Sequence, residues 1–195
     1  MYEKLINIIS NFIEFQNNDL SIIKSLFKPF EVKKDSILID KGEYSNMAFF
    51  INSGFLRFFK VIDTGEEQTI HLLSSGQFAA SFCGFVTNTK SEETLHSITD
   101  SELLIVTKND LEKLYNIDTK WQIFGRKLME ILLLEKEKRI IDQLSLTAQA
   151  RYTKLLETNP SLIQNVPIQY IASYIGIQPE SLSRIRKQIF LTNVK

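Results

Sequence analysis

The chain has 195 residues, enough for one large domain or two small ones with a connector. Its 44% hydrophobic and 24% charged content is ordinary for a soluble globular protein, and no apolar run approaches the roughly 18 residues of a membrane span. The net charge of zero hides a split: residues 139–195 carry seven basic and three acidic side chains, the rest 16 and 20, so a polyanionic partner would touch only the tail.

Met1-Tyr2-Glu3-Lys4 is mixed in charge and no small-residue cleavage site follows, so a cytoplasmic protein is expected. Leu5, Ile6, Ile9, Phe12 and Ile13 recur at helical spacing, and a second short helix is predicted over 18–27. From 29 to 107 the pattern changes to short β-branched and aromatic runs. The predicted strands are Ser36–Asp40, Met47–Asn52, Phe55–Ile62, Gln68–Leu73, Thr94–Thr99 and Glu102–Val106. Gly42, Gly54, Gly65 and Gly76 punctuate the segment, each able to take the positive φ of a tight turn, and Asp63-Thr64-Gly65-Glu66 reads as a hairpin. Short strands with regular turns predict a sandwich or barrel of jelly-roll type. The lone cysteine, Cys83, excludes an intramolecular disulfide and is read as a free thiol.

Helical periodicity returns after 107. Asn109 or Asp110 can cap a short helix through Tyr115. A long helix is predicted from Thr119 to Leu144. In it Trp121, Phe124, Leu128 and Ile131 fall three and four apart, with Leu132 beside them and charged residues around them. That is the spacing of a coiled-coil seam, so these five residues are the predicted dimer interface. Ser145-Leu146-Thr147 breaks the helix and is read as a hinge. A helix over 148–157 follows, ended by Asn159-Pro160, and Leu162–Val166 is read as a short linking strand.

Residues 167–190 carry the densest pattern. Pro167 suits the first turn of a helix, Gly176 the left-handed turn after it, and Pro179 the first turn of the next. Ile168, Ile171 and Ala172 face inward from the first helix and Leu182, Ile185 and Ile189 from the second, with Ile177 between them. The outward face is then fixed by geometry and holds Glu180, Ser181, Arg184, Lys187 and Gln188. Arginine can donate two hydrogen bonds to guanine and glutamate can accept from cytosine, while serine and lysine reach phosphates. This pattern predicts a helix-turn-helix that binds double-stranded DNA through Gln169, Gln178, Glu180, Ser181, Ser183, Arg184, Lys187 and Gln188.

Together these segments resemble the Crp/Fnr family of bacterial regulators over nearly the whole chain. Residues 41–57, from Lys41-Gly42-Glu43 to Gly54-Phe55-Leu56-Arg57, look like that family's early strand signature. Ile171-Ala172-Ser173-Tyr174-Ile175-Gly176-Ile177 followed by Glu180-Ser181-Leu182-Ser183-Arg184 looks like its recognition motif. The resemblance implies an α+β fold: a cyclic-nucleotide-binding-type jelly-roll sensor over 1–118, a dimerisation helix and hinge over 119–146, and a winged helix-turn-helix over 147–195. It implies a homodimer on a palindromic operator, with base reading by Glu180, Ser183 and Arg184 and half-sites containing a TTGA or TGA core. It also admits RNA polymerase and a small-molecule effector as partners. A sensor module acting through a protein partner is the alternative, but it leaves 167–190 without a role.

The ligand positions depart from the family pattern. The effector pocket the resemblance implies is lined by Gly76, Phe78, Ala80, Ser81, Glu93 and Thr94. Cyclic-nucleotide binders carry Gly-Glu where this chain has Ala80-Ser81, and an arginine where it has Glu93. A carboxylate repels a cyclic phosphate and lacks the forked donors of arginine, which argues against control by cyclic AMP. One cysteine cannot hold an iron–sulfur cluster. His71 and His96 are read as polar residues on a sheet face, so no metal site and no cofactor are expected. With no Gly-rich phosphate loop, nucleophile elbow or paired-histidine helix, the chain is not expected to be an enzyme.

Overall fold

The computed structural model describes residues 1–193; Lys195, one of the seven basic residues of the tail, lies outside them. Two helices open the chain, α1 (Glu3–Ser10) and α2 (Asn17–Leu26). Asp19 closes the start of α2: it accepts from the backbone N–H of Gln16 at 2.7 Å. The same carboxylate pairs with Lys120 at 2.7 Å, which ties α2 to a helix far along the chain.

Eight strands follow: β1 (Lys28–Val32), β2 (Ile37–Ile39), β3 (Met47–Ser53), β4 (Leu56–Val61), β5 (Glu67–Leu73), β6 (Phe78–Ala79), β7 (Thr94–Ser97) and β8 (Ser101–Thr107). A short helix, α3 (Phe82–Thr87), lies between β6 and β7. The strands form two antiparallel four-stranded sheets, β1-β8-β3-β6 and β2-β7-β4-β5. The sandwich core is made by Phe49, Ile51 and Leu103 from the first sheet and Ile39, Leu56, Phe58 and Leu95 from the second. A second core lies outside the first sheet, where Leu5, Ile9, Ile23 and Phe27 meet Phe50, Leu104, Leu114, Trp121 and Phe124. All four turn glycines of the sequence reading have positive φ, from 84° to 100°.

The six predicted strands are present. β1, β6 and α3 are additional. β1 buries only Val32 and contains Pro29, which an edge strand tolerates because one side needs no ladder N–H. β6 has two residues and α3 six, both too short for a periodic signal.

Beyond the sandwich the chain is helical: α4 (Lys108–Ile117), α5 (Thr119–Ser145), α6 (Ala148–Thr158), α7 (Pro160–Asn165), α8 (Ile168–Ile175) and α9 (Pro179–Asn193). The cap of α4 is Thr107 rather than Asn109 or Asp110; its hydroxyl accepts from the Asp110 N–H at 3.1 Å. At Gly125 a Cβ would lie 2.7 Å from the Tyr115 hydroxyl, so the glycine is what lets α4 lie against α5. The predicted strand over 162–166 is instead α7. Pro160 both stops α6 and opens α7, where its missing N–H costs nothing. Among the described residues no strand follows Thr107, so the expected wing is not among them. None of the helices among the described residues is long and apolar enough to cross a membrane.

The predicted dimer seam divides. Trp121 and Phe124 are buried inside their own chain, and Leu128 packs against the same core. These three therefore hold α5 to the sandwich and α1. Leu132 is half-buried, and Ile131 is exposed. A different apolar stripe faces outward: Leu133 and Ile140, and Leu134 and Ile141, each pair one heptad apart, with Leu144 beyond them. The apolar residues of α5 line two sides of the helix, and sequence spacing alone does not say which side is inward.

Candidate nucleic-acid interface

The C-terminal helices close on a core that they share with the sandwich, which contributes Leu72 and Ile98, with Phe55 at its edge. Tyr152, Leu155, Leu162, Val166, Ile171, Ala172, Ile175 and Leu182 are buried there, with Ile168, Ile177, Ile185 and Ile189 at its margin. Every inward position expected of the two-helix unit is in this cluster. Ala172 is fully buried, so its small side chain sets how near the second helix can come.

The turn between α8 and α9 is closed by its backbone. Gly176 has φ +77°, its N–H donates to Ser173 O at 3.1 Å, and the Ile177 N–H donates to Ala172 O at 3.0 Å. This pair of bonds satisfies the Ala172 and Ser173 carbonyls in the last turn of α8 and requires a left-handed residue at the glycine. Pro179 then begins α9.

Gln169, Gln178, Glu180, Ser181, Ser183, Arg184, Lys187 and Gln188 are all exposed. The structure brings the last six of them together on α9, with Gln178 just before its start. The Ser183 hydroxyl donates to the carbonyl of Pro179 at 3.0 Å, which orients it along the helix. Glu180 lies in the first turn of α9, where the helix dipole favours an anion. Among the described residues Arg184, Arg186 and Lys187 form no ion pair within the chain, so their charge is available to a ligand.

The other basic residues of the tail among the described ones, Arg139, Arg151 and Lys154, bond within the chain. Arg151 donates to Ile175 O at 2.9 Å, and Lys154 pairs with Asp142 at 2.6 Å across the break between α5 and α6. Arg139 lies with its Cζ 3.7 Å from the ring centroid of Tyr174. The charge split in the sequence thus overstates the cationic surface, and among the described residues it is the α9 group that has the character it suggested.

The predicted effector residues are each held by local contacts. Phe78 and Ala80 pack into the core shared with α1, and the Phe78 ring lies tilted against Phe50 with centroids 5.0 Å apart. The Gly76 N–H donates to Ile51 O at 2.8 Å in a turn near Ile8. Ser81 and Glu93 are linked instead through Ser91, whose hydroxyl lies 2.7 Å from that of Ser81 and donates to Glu93 O at 2.6 Å. The Thr94 hydroxyl donates to Asp40 at 3.1 Å. Burial pushes the Glu93 carboxyl up, Lys60 and Lys136 oppose it, and Glu92 adds to it. Lys136 also lies 5.2 Å from the ring of Phe82. Sequence reasoning missed Lys60 and Lys136 because each reaches this place from a distant element. Among the described residues no group of three or more His, Cys, Asp or Glu side chains could hold a metal ion.

Residues 29–118 match the cyclic nucleotide-binding domain family. No curated protein's sequence matches the chain. Among solved structures, FixK2 from Bradyrhizobium japonicum is similar at 22% identity with a TM-score of 0.72, covering 86% of each chain. The c-di-GMP-responsive global regulator CLP of Xanthomonas campestris is similar at 16% identity and a TM-score of 0.68, covering 91% of this chain and 93% of its own. A chain from Eubacterium rectale assigned to the Crp/Fnr family of transcriptional regulators is similar at 17% identity and a TM-score of 0.67, covering 91% and 85%. Residues 29–118 are thus similar to the cyclic nucleotide-binding domain family, and the chain as a whole shares the fold of these solved structures.

Proposed function

We propose that this chain is a sequence-specific DNA-binding transcription regulator that acts as a dimer on a palindromic operator. The observation that carries the reading is the exposed face of α9, with Glu180, Ser181, Arg184 and Lys187 standing on a helix whose opposite side is closed into a buried apolar core. A helix of this kind fits the major groove. Arg184 and Glu180 are suited to base edges, and Ser181, Ser183 and Lys187 to phosphates, with Gln169, Gln178 and Gln188 at the margin. The two-helix unit is read as a helix-turn-helix and the sandwich as a jelly roll, dividing the chain into a sensor (1–118), a dimer helix with its hinge (119–146) and a reading head (147–195).

The dimer seam is assigned to the outward stripe of α5, Leu133, Leu134, Ile140, Ile141 and Leu144, together with Ile131. Water-exposed apolar side chains repeated by heptads on a helix of 27 residues, about 40 Å long at 1.5 Å per residue, are best covered by a second copy of the same helix. The sensor is not controlled by cyclic AMP in this reading, because the half-buried Glu93 stands where a phosphate would need an arginine. A different small molecule at the sandwich and contact with RNA polymerase are compatible with it, as is a cytoplasmic location.

Selection of bound duplexes from random DNA tests the proposal. The expected product is a twofold-symmetric motif with half-site centres about 34 Å apart, one turn of the duplex. Recovery of unenriched DNA would contradict it.

A further inference from the structure

β5 is an end strand of its sheet, so its outer backbone groups have no strand partner. α8 takes the place of that partner. The Thr69 N–H donates to the Ser173 hydroxyl at 2.8 Å, this hydroxyl donates to Glu67 O at 3.1 Å, and the Gln68 side-chain amide donates to Ser173 O. One helical turn separates Tyr170 from Tyr174, and each ring carries a guanidinium. Arg57 Cζ lies 3.6 Å from the Tyr170 centroid and Arg139 Cζ 3.7 Å from the Tyr174 centroid.

The two arginines come from different parts of the molecule. Arg57 belongs to β4 and is 3% exposed; it pairs with Glu67, donates from Nε to His96 Nδ1 at 3.2 Å, and lies 4.3 Å from the ring of Phe59. Arg139 belongs to α5 and donates to Tyr174 O at 3.3 Å, an oxygen that also accepts from Gln143 at 3.1 Å. Stacking of a cation on an aromatic face strengthens as water is removed, and an arginine held on several sides has one orientation.

We infer that Arg57 and Arg139 are positioning residues which clamp Tyr170 and Tyr174 and so preset the angle of the reading head against the sandwich and the long helix. The inference rests on the DNA-binding reading and adds how its geometry is controlled. Glu180, Arg184 and Lys187 are exposed while the clamp is closed, so the clamp aims the reading face and does not hide it. Because α8 is gripped by β4, β5 and α5 together, a change in the sheet reaches α9 through Arg57 without first altering the dimer helix. A head fixed beforehand loses less freedom on binding, and two such heads engage two half-sites at a high effective concentration. With the clamp gone, a single half-site should bind as before while the two-site advantage shrinks.

The test uses the full chain as wild type, as the Tyr170→Ala/Tyr174→Ala double variant, and as Tyr170→Phe, which keeps the ring. Two properties are measured: hydrogen exchange at the Thr69 amide, and affinity for the selected palindrome and for one isolated half-site. In the double variant Thr69 should exchange at least about tenfold faster with β3 and β8 amides unchanged, and palindrome affinity should fall about tenfold with half-site affinity kept. Tyr170→Phe should behave as wild type. If the double variant does not fold, Tyr174→Leu and Arg139→Gln, which act on the α5 side of the clamp, carry the same expectations. Unchanged protection of Thr69 overturns the clamp, and an unchanged ratio of palindrome to half-site affinity with Thr69 released overturns its positioning role. A wild-type chain that binds no duplex sinks the DNA reading instead, and the exchange measurement still decides whether the clamp exists.

Discussion

His71 lies on β5 close to Arg139 and Lys136, and its imidazole is pushed down to about 4, first by burial and then by the two cations. The folded value is below the ordinary 6.5, so the unfolded chain binds the additional proton as pH falls between these two values. His71 therefore favours the fold fully above pH 6.5, and the contribution is lost as pH falls toward 4, on the order of 3 kcal/mol in all. His96 is lowered too, by burial and then by Arg57, and has the same sign. Thermal denaturation of wild type from pH 7 to 4 should show a steep fall in Tm, and His71→Gln should show a shallower one. Equal slopes would mean that His71 does not titrate in that window. Neither histidine's surroundings were legible in the sequence. Both read as polar residues on a sheet face, yet His96 is bonded to Arg57 and stands 6.2 Å from the ring of Tyr170, a partner from another part of the chain.

At the scale of elements, legibility followed period and length. The helices over 119–145 and 168–193 and six strands carry enough residues for a pattern, whereas β1, β6 and α3 do not. The inward and outward residues of α8 and α9 were legible because the turn at Gly176 and the prolines fix the phase of both helices. α5 has no such phase marker. It is apolar on two sides, and Trp121 and Phe124 turned out to be core residues of their own chain. The two sides separate by substitution. Phe124→Ala should cost about 3–5 kcal/mol of stability in any oligomeric state, as removal of a buried aromatic ring does. Leu134→Asp with Ile141→Asp should leave Tm nearly unchanged in dilute monomer and abolish the dimer in sedimentation. A dimer that survives the double substitution places the interface elsewhere.

The whole molecule joins a sandwich to a C-terminal group of helices through a break of two residues, Leu146 and Thr147, and the join is braced on both sides. Lys154 and Asp142 cross the break, Arg151 ties it to the end of α8, and the tyrosine clamp holds α8 to the sheet. Among the described residues, three of the basic side chains that made the tail look cationic, Arg139, Arg151 and Lys154, are engaged within the chain. What is left for a polyanion is the compact group on α9, which makes the account depend on a few side chains and not on bulk charge. Arg184 stands at its centre, exposed and without an ion pair among the described residues. The most direct measurement is selection from random duplex DNA carried out in parallel with wild type and Arg184→Ala. The variant should lose preference at one base position in each half-site while the others remain, at a cost of about 1–3 kcal/mol per half-site on the wild-type motif. An identical motif bound more weakly at every sequence would contradict this, because Arg184 would then be holding phosphate and not reading a base.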